Sequence, residues 1–405
     1  MFQALTGILK VVFTGSKSYK LLVAGLLLFI TVGAILLIRQ FDQGLIVTNM
    51  RDQASWGWYI ANFTFLVGVA AAAVVLVIPA YIYRYEPIHD IVLLGEIMAV
   101  SAVSMCLMFV TIDMGSPERF WHLIPGLGIF NFPQSILAWD VLVLNAYLFI
   151  NLFLVCYGLY KYYTGQPYNK KFIWPFILFS IPAAISIHTV TAFIYAGLPA
   201  RPFWNAAILA PRFIASAFCS GPAFMLILFQ IIRKNTRLKV TNEALFKVGE
   251  IITYAMALNL FFLAAELFKE RYSATAHIAA LDYLWYGLNG HNHLVPWIWT
   301  AITFNSIAFL LLLNPKTRRN LVTLNLTCVL IFVGVYIEKG MGLIFPGFVP
   351  DTLGEIYDYF PNSLEFWVSI GIWAAGMLVF TVLSKIAIAI KTGELKCSCT
   401  VPENK

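Results

Sequence analysis

The chain has 405 residues, of which 60% are hydrophobic and only 12% charged. Soluble domains run nearer half apolar and a quarter charged, so this composition excludes an ordinary water-soluble protein, and equally a disordered chain or a disulfide-rich scaffold. The net charge of +7 is no nucleic-acid signal, because Lys and Arg gather in short loops between apolar runs, where they orient a membrane protein.

In chain order, about ten stretches approach the ~20 residues that cross a bilayer: 20–38, 58–82, 91–114, 136–160, 172–197, 206–232, 245–268, 293–313, 320–342 and 365–390. The segment before the first is amphipathic, and the first apolar run is long enough to stay in the membrane as an anchor. With the N-terminus inside, about 19 of the 27 Lys and Arg fall on the cytoplasmic side. Arg233, Lys234, Arg237 and Lys239, with Lys316, Arg318 and Arg319, carry most of that bias. The expectation is a multi-pass protein of the cytoplasmic membrane with both termini cytoplasmic.

An internal repeat relates the third and seventh spans. Leu94-Gly95-Glu96-Ile97 matches Val248-Gly249-Glu250-Ile251, and Asp113 falls near Glu266. The second and sixth align Ala61 with Ala215 and Gly68 with Gly221. Four helices per copy keep one orientation, so the repeat is parallel. The expected fold is an all-α membrane protein: two parallel-repeat four-helix bundles with a flanking helix at each end. Its divisions are 1–57, 58–197, 198–342 and 343–405.

Cys106, Cys156, Cys219 and Cys328 lie in apolar segments and read as small hydrophobes. Cys397 and Cys399 form a Cys-x-Cys that lacks the second pair a metal site needs, so no metal is expected. A b-type haem pair needs paired axial ligands, and only His188 lies deep in a span, with His291 and His293 at the outer surface. Neither haem nor an iron–sulfur cluster is expected in this chain, nor a nucleic-acid partner.

Ionisable groups inside spans are costly, roughly 2.5–3.5 kcal/mol each, and are functional candidates by default. Asp113, Asp140 and His188 fall at similar depth in the outer half and are the candidate catalytic groups. Asp113 capping the turn after it, or Asp140 capping its helix, is the plainer alternative. Glu96, Glu250 and Glu266 are candidates for a proton path, with snorkelling to the surface as the alternative for the first two. Glu338 reads as a local pair with Lys339. Trp56, Trp58 and Tyr59, with Trp121, Trp139 and Trp204, mark the outer surface. Such walls suit an interfacial belt, and equally a flat apolar ligand such as a quinone, oriented by a few polar groups. A secondary transporter using membrane carboxylates is the rival reading, with Pro182 and Pro222 as possible helix breaks. A scaffold for extrinsic subunits is the third.

Three segments carry a family resemblance: Ala54 to Phe63 followed by the small-residue run Gly68 to Ala73, Asp113-Met114-Gly115-Ser116-Pro117-Glu118-Arg119-Phe120-Trp121-His122-Leu123, and Ser135 to Asn145. Over almost its whole length the sequence resembles the polysulfide reductase membrane-subunit family (NrfD/PsrC-like). Ten spans and the Gly347 to Phe360 segment look most like its DsrP/QrcD/HybB branch, DsrP above all. The resemblance implies a cofactor-free membrane subunit that exchanges electrons between menaquinone and a docked extracytoplasmic ferredoxin-like iron–sulfur subunit. Further cytochrome and membrane subunits would complete a sulfite-reduction-linked complex; a hydrogenase or molybdenum enzyme anchor is the alternative. Carried over by position, the quinone pocket is expected around Trp56, Trp58, Tyr59, Asn62 and Trp139, with Asp113, Asp140 and His188. Arg119 and Arg201 are expected at the partner interface. Shorter members carry a histidine just before the Trp-Gly-Trp segment, where this protein has Gln53-Ala54-Ser55.

Overall fold

A computed structural model describes residues 2–275, 278–351 and 353–396, so Cys397 and Cys399 lie outside the described residues. Among the described residues, ten helices are long and apolar enough to cross a membrane. They are α1 (Lys17–Gln43), α2 (Trp58–Ile82), α3 (Val92–Asp113), α4 (Ile136–Thr164), α5 (Lys170–Ala196), α6 (Leu209–Asn235), α7 (Asn242–Ser273), α8 (Val295–Leu313), α9 (Leu321–Phe348) and α10 (Ser363–Lys391). All ten coincide with the expected stretches. Several run past them, because helical hydrogen bonding continues beyond the last apolar residue until a cap ends it. Ser16, for example, caps α1 by accepting the Tyr19 N–H, just before the apolar run begins.

The expected breaks do not occur: α5 continues through Pro175 and Pro182, and α6 through Pro222. The irregular elements lie in α2 and α9, two of them at other prolines, Pro79 and Pro346. α2 finishes in a π turn, Ile78–Ile82, and α9 passes through another, Ile337–Met341, before a last 3₁₀ turn, Phe345–Phe348.

Packing follows the repeat. α2 packs on α3 and α5, α3 on α4, and α4 on α5; in the second bundle α6 packs on α7 and α9, α7 on α8, and α8 on α9. The same ring of four helices is thus built twice in the same direction. The bundles meet where α2 crosses α6 and the π turn of α9, and where α5 lies on α6. Repeat-related glycines face each other at this crossing: a Cβ on Gly221 would come within 3.0 Å of the Gly68 carbonyl and closer still to Ala72. Small residues are what let helices approach in a bilayer, where lipid is as apolar as the side chains. The core windows of α2 and α3 are 83% buried and that of α1 only 6%, so α2 and α3 form the centre and α1 the rim. α1 is held by α10, with Gly33 against Gly371.

An even number of spans returns the backbone to its starting side. That side is the terminal face; the other, carrying the loops after α1, α3, α5, α7 and α9, is the far face.

Candidate functional site

In the first bundle α5 carries His188, Thr191 and Tyr195 at three- and four-residue spacing, which puts them on one stripe. Thr191 Oγ1 donates to Asp140 Oδ1 at 2.8 Å, and the Tyr195 hydroxyl lies 2.5 Å from Thr64 Oγ1 of α2. Asp140 does not cap α4. Ser135 does, leaving Asp140 a turn further in and 1% exposed. Asp140 Oδ2 has no partner. Neither His188 ring nitrogen makes a hydrogen bond of ordinary geometry, although the Ala184 carbonyl one turn back faces the ring. Buried polar atoms are nearly always paired, so orphaned atoms on adjoining helices call for a hydrogen-bonding guest.

Asp113, the last residue of α3, has Tyr59, Glu365 of α10 and Tyr195 of the α5 stripe as electrostatic neighbours. Its Oδ1 is buried and unpartnered, with no bond to the turn it was a candidate to cap. Beside it Gln40 of α1 accepts the Tyr59 hydroxyl at 2.7 Å and donates to the Ile112 carbonyl at 2.8 Å.

Trp56 stacks on Trp204 at 5.6 Å and meets Tyr195 and Phe348 edge-on. Trp204 is fully buried and donates Nε1 to the Leu343 carbonyl at 2.7 Å. Because Tyr195 belongs both to this group and to the α5 stripe, the aromatic cluster forms the far-face roof of the Asp140–His188 region. The other expected pocket residues are engaged in the frame. The Trp58 N–H donates to the Tyr359 hydroxyl at 2.8 Å. Asn62 Oδ1 accepts from both the Tyr336 hydroxyl (2.9 Å) and Trp373 Nε1 (2.8 Å), which uses both its lone pairs. Trp139, in the first turn of α4 at the far face, places Nε1 on the Pro133 carbonyl at 2.9 Å and its ring on Phe132.

The second bundle holds a charged cluster. Arg212 of α6 pairs with Glu266 of α7 and with Glu338 of α9, the latter at 2.8 Å. Glu338 also accepts from Asn305 Nδ2 of α8 at 2.8 Å and from Asn259 Nδ2 of α7 at 3.4 Å. The local Glu338–Lys339 pair expected from adjacency is not a direct ion pair: successive side chains of a helix face different sides, and Glu338 turns to this network. Lys339 Nζ instead donates to the Phe213 carbonyl at 3.3 Å and lies 4.3 Å over the Phe213 ring. The cluster borders a cleft at the far face, lined mainly by apolar side chains of α6, α7, the α7–α8 loop and α9. Arg212 is absent from the set expected on sequence, yet an arginine inside the 206–232 span is itself a signal.

On the terminal face Glu96 is 4% exposed and lines a smaller cleft with Tyr81, His89, Tyr162, Tyr168 and Lys391. Burial pushes the Tyr168 hydroxyl, in the loop before α5, above the ordinary phenol range. Glu250, the repeat counterpart of Glu96, lies on a partly exposed surface paired with Lys247 at 3.1 Å. On the far face Arg119 is exposed in a 3₁₀ segment, Pro117–Leu123, while Arg201 sits 4.8 Å over the Phe348 ring beside the aromatic roof. Asp358 gathers His291 Nδ1 at 2.5 Å, His293 Nδ1 at 3.2 Å and the Tyr283 hydroxyl at 2.8 Å, tying the α7–α8 loop to the α9–α10 loop.

A family model described as "Polysulphide reductase, NrfD" matches residues 46–349. Among curated proteins, a selenate reductase subunit of Mesobacillus selenatarsenatis is 23% identical over 395 residues, covering 87% of this protein and 90% of the relative. An Hdr-like menaquinol oxidoreductase integral membrane subunit of Archaeoglobus fulgidus is 23% identical over 362 residues, covering 85% and 87%. A polysulfide reductase polypeptide of Wolinella succinogenes is 27% identical over 183 residues, 41% of this protein and 55% of the relative.

Proposed function

The chain belongs to the polysulphide reductase NrfD family, and from that premise we propose that it is the quinone-interacting membrane subunit of a respiratory oxidoreductase complex. In this reading menaquinone exchanges electrons with an iron–sulfur subunit docked on the far face, which is the extracytoplasmic side of the cytoplasmic membrane. The positive-inside bias supports that orientation and cytoplasmic termini. The name of the Archaeoglobus relative supports menaquinol as the electron carrier. A DsrP-type place in a sulfite-reduction-linked complex is the finer form of the proposal. An anchor for a molybdenum reductase is its neighbour, favoured by the selenate and polysulfide reductase relatives.

The observation that carries the reading is the set of orphaned atoms, Asp140 Oδ2 and both His188 ring nitrogens, under the Trp56–Tyr195–Trp204 roof. A flat ligand with two oxygens at its rim fits that donor and acceptor set, and aromatic walls fit its ring. When bound, a quinone supplies two-electron, two-proton redox chemistry. His188 and Asp140 would hold or accept the protons, with Thr191 fixing the Asp140 carboxyl. Asp113 would act from the α10 side of the same roof. Glu96 in its terminal-face cleft and Glu266 at the far face are the proposed proton-path residues. Glu250, paired on the surface, has the weakest support of the three. Arg119 and Arg201 flank the face proposed for docking.

Titration of a menaquinone analogue into the purified complex tests this. Saturable binding is expected for wild type, weakened at least about tenfold by His188→Ala and by Asp140→Asn, each replacing a partner of a desolvated hydrogen bond. Binding unchanged in both variants would overturn the placement.

A further inference from the structure

Two adjacent charged residues in the π turn of α9 have different destinations. Glu338 enters the Arg212 network of the second bundle. Lys339 turns to the seam between the bundles, where its Nζ would lie 3.3 Å from a Cβ placed on Gly68 of α2. A side chain at this position would press on the ammonium. Lys339 is 5% exposed and donates to the Phe213 carbonyl, although an ammonium has three protons to place. The same side chain borders the far-face cleft of the second bundle. Its electrostatic neighbours come from both bundles: Glu338, Arg212 and Cys219 on one side, Cys106 and His188 on the other. π turns of this kind are frequent at functional positions, and a buried lysine at a seam has no evident packing purpose.

Resting on the quinone reading above, we infer that Lys339 carries protons between the Asp140–His188 region of the first bundle and water in the far-face cleft of the second. As an N–H bond of protonated His188 or the O–H bond of protonated Asp140 breaks, its proton forms an N–H bond on the Lys339 amine. That bond breaks as a water in the cleft takes the proton, and uptake runs through the same steps reversed. Glu338 and Glu266 hold negative charge beside the passage, balanced by Arg212. The second bundle thereby has a task of its own: it is the proton port of the first.

Two experiments on the whole complex in vesicles test the inference. Proton release or uptake at the far face, followed with a membrane-impermeant pH dye, is expected to slow about a hundredfold in Lys339→Met, the lower end of what a positioned proton carrier contributes. Affinity for the menaquinone analogue should stay at the wild-type value. Lys339→Arg should behave like Lys339→Met, because a guanidinium holds its proton too tightly to pass it on. Added imidazole should restore part of the Lys339→Met rate, which it would not do for a packing defect. The second experiment needs no quinone: Ser216→Cys, in the cleft wall, should react with a charged thiol reagent added from the far face, above the wild-type background. Wild-type proton kinetics in Lys339→Met, or a Ser216→Cys thiol closed to the reagent, would overturn the inference while leaving quinone binding intact. Absence of quinone binding by the wild-type complex would instead overturn the functional reading, and the inference with it.

Discussion

Arg212 holds its guanidinium between the part-buried Glu266 and the buried Glu338 where all four helices of the second bundle converge, and Asn259 and Asn305 complete the partners of Glu338. Removing one partner of a buried ion cluster typically costs about 3–5 kcal/mol, since the remaining charges keep their desolvation penalty, whereas neutralising the whole set is far milder. Arg212→Met should therefore lower the unfolding temperature in detergent by several degrees, and the triple variant Arg212→Met/Glu266→Gln/Glu338→Gln should regain most of it. Thermal unfolding monitored by tryptophan fluorescence distinguishes this from a cluster of no energetic weight, for which neither variant would move. At this scale the sequence was partly legible. Asp140 and His188 stood out because ionisable groups in a span are rare, and the structure puts them on adjoining helices. Asn62 and Trp58 matched the family pattern equally well, yet their hydrogen bonds reach Tyr336, Trp373 and Tyr359, roughly 270 to 310 positions away, and no local signal announces such partners.

Among elements, the pairing of α1 with α10 depends on two glycines. A Cβ on Gly371 would lie 2.9 Å from the Gly33 Cα, so the backbones touch there. Gly371→Val should force the helices apart and cost about 1–3 kcal/mol, as overpacking does. Gly25→Val, on the same α1 but with nothing within 4 Å of its added Cβ, should be neutral. Equal loss in the two variants, read from thermal unfolding in detergent, would contradict this account of the contact. The ten spans were legible because each is a long apolar run, a signal that needs no partner. The π turn at Ile337–Met341 was not, since one extra residue per turn leaves hydropathy unchanged. Successive side chains of a helix face different sides, so Glu338 and Lys339, adjacent and opposite in charge, form no direct ion pair, although Lys339 still feels the charge of Glu338.

Over the whole molecule, the two bundles share one ring of packing and differ in what their interiors hold. The two bundles keep one topology, and their counterparts Gly68 and Gly221 still meet at the crossing of α2 and α6. Their interiors have diverged: the first carries the unpartnered Asp140 and His188 atoms beneath aromatic rings, the second a charged network beside a cleft, in which Asn259 Oδ1 and Asn305 Oδ1 are also without partners. The repeat was readable from Leu94-Gly95-Glu96-Ile97 and its copy, but the fates of its two glutamates were not. Glu96 is enclosed by the α4–α5 loop and α10, whereas Glu250 is left at the surface, and only tertiary packing separates them. The first bundle is the proposed place where quinone is handled. Photoaffinity labelling of the intact complex with an azido-menaquinone analogue, followed by peptide mapping, tests that most directly. Label on the segments holding Trp56, Asp140 and His188 to Trp204, competed away by unlabelled quinone, is the predicted result. Competable label confined to the cleft around Leu267 and Trp285 in the second bundle would contradict it.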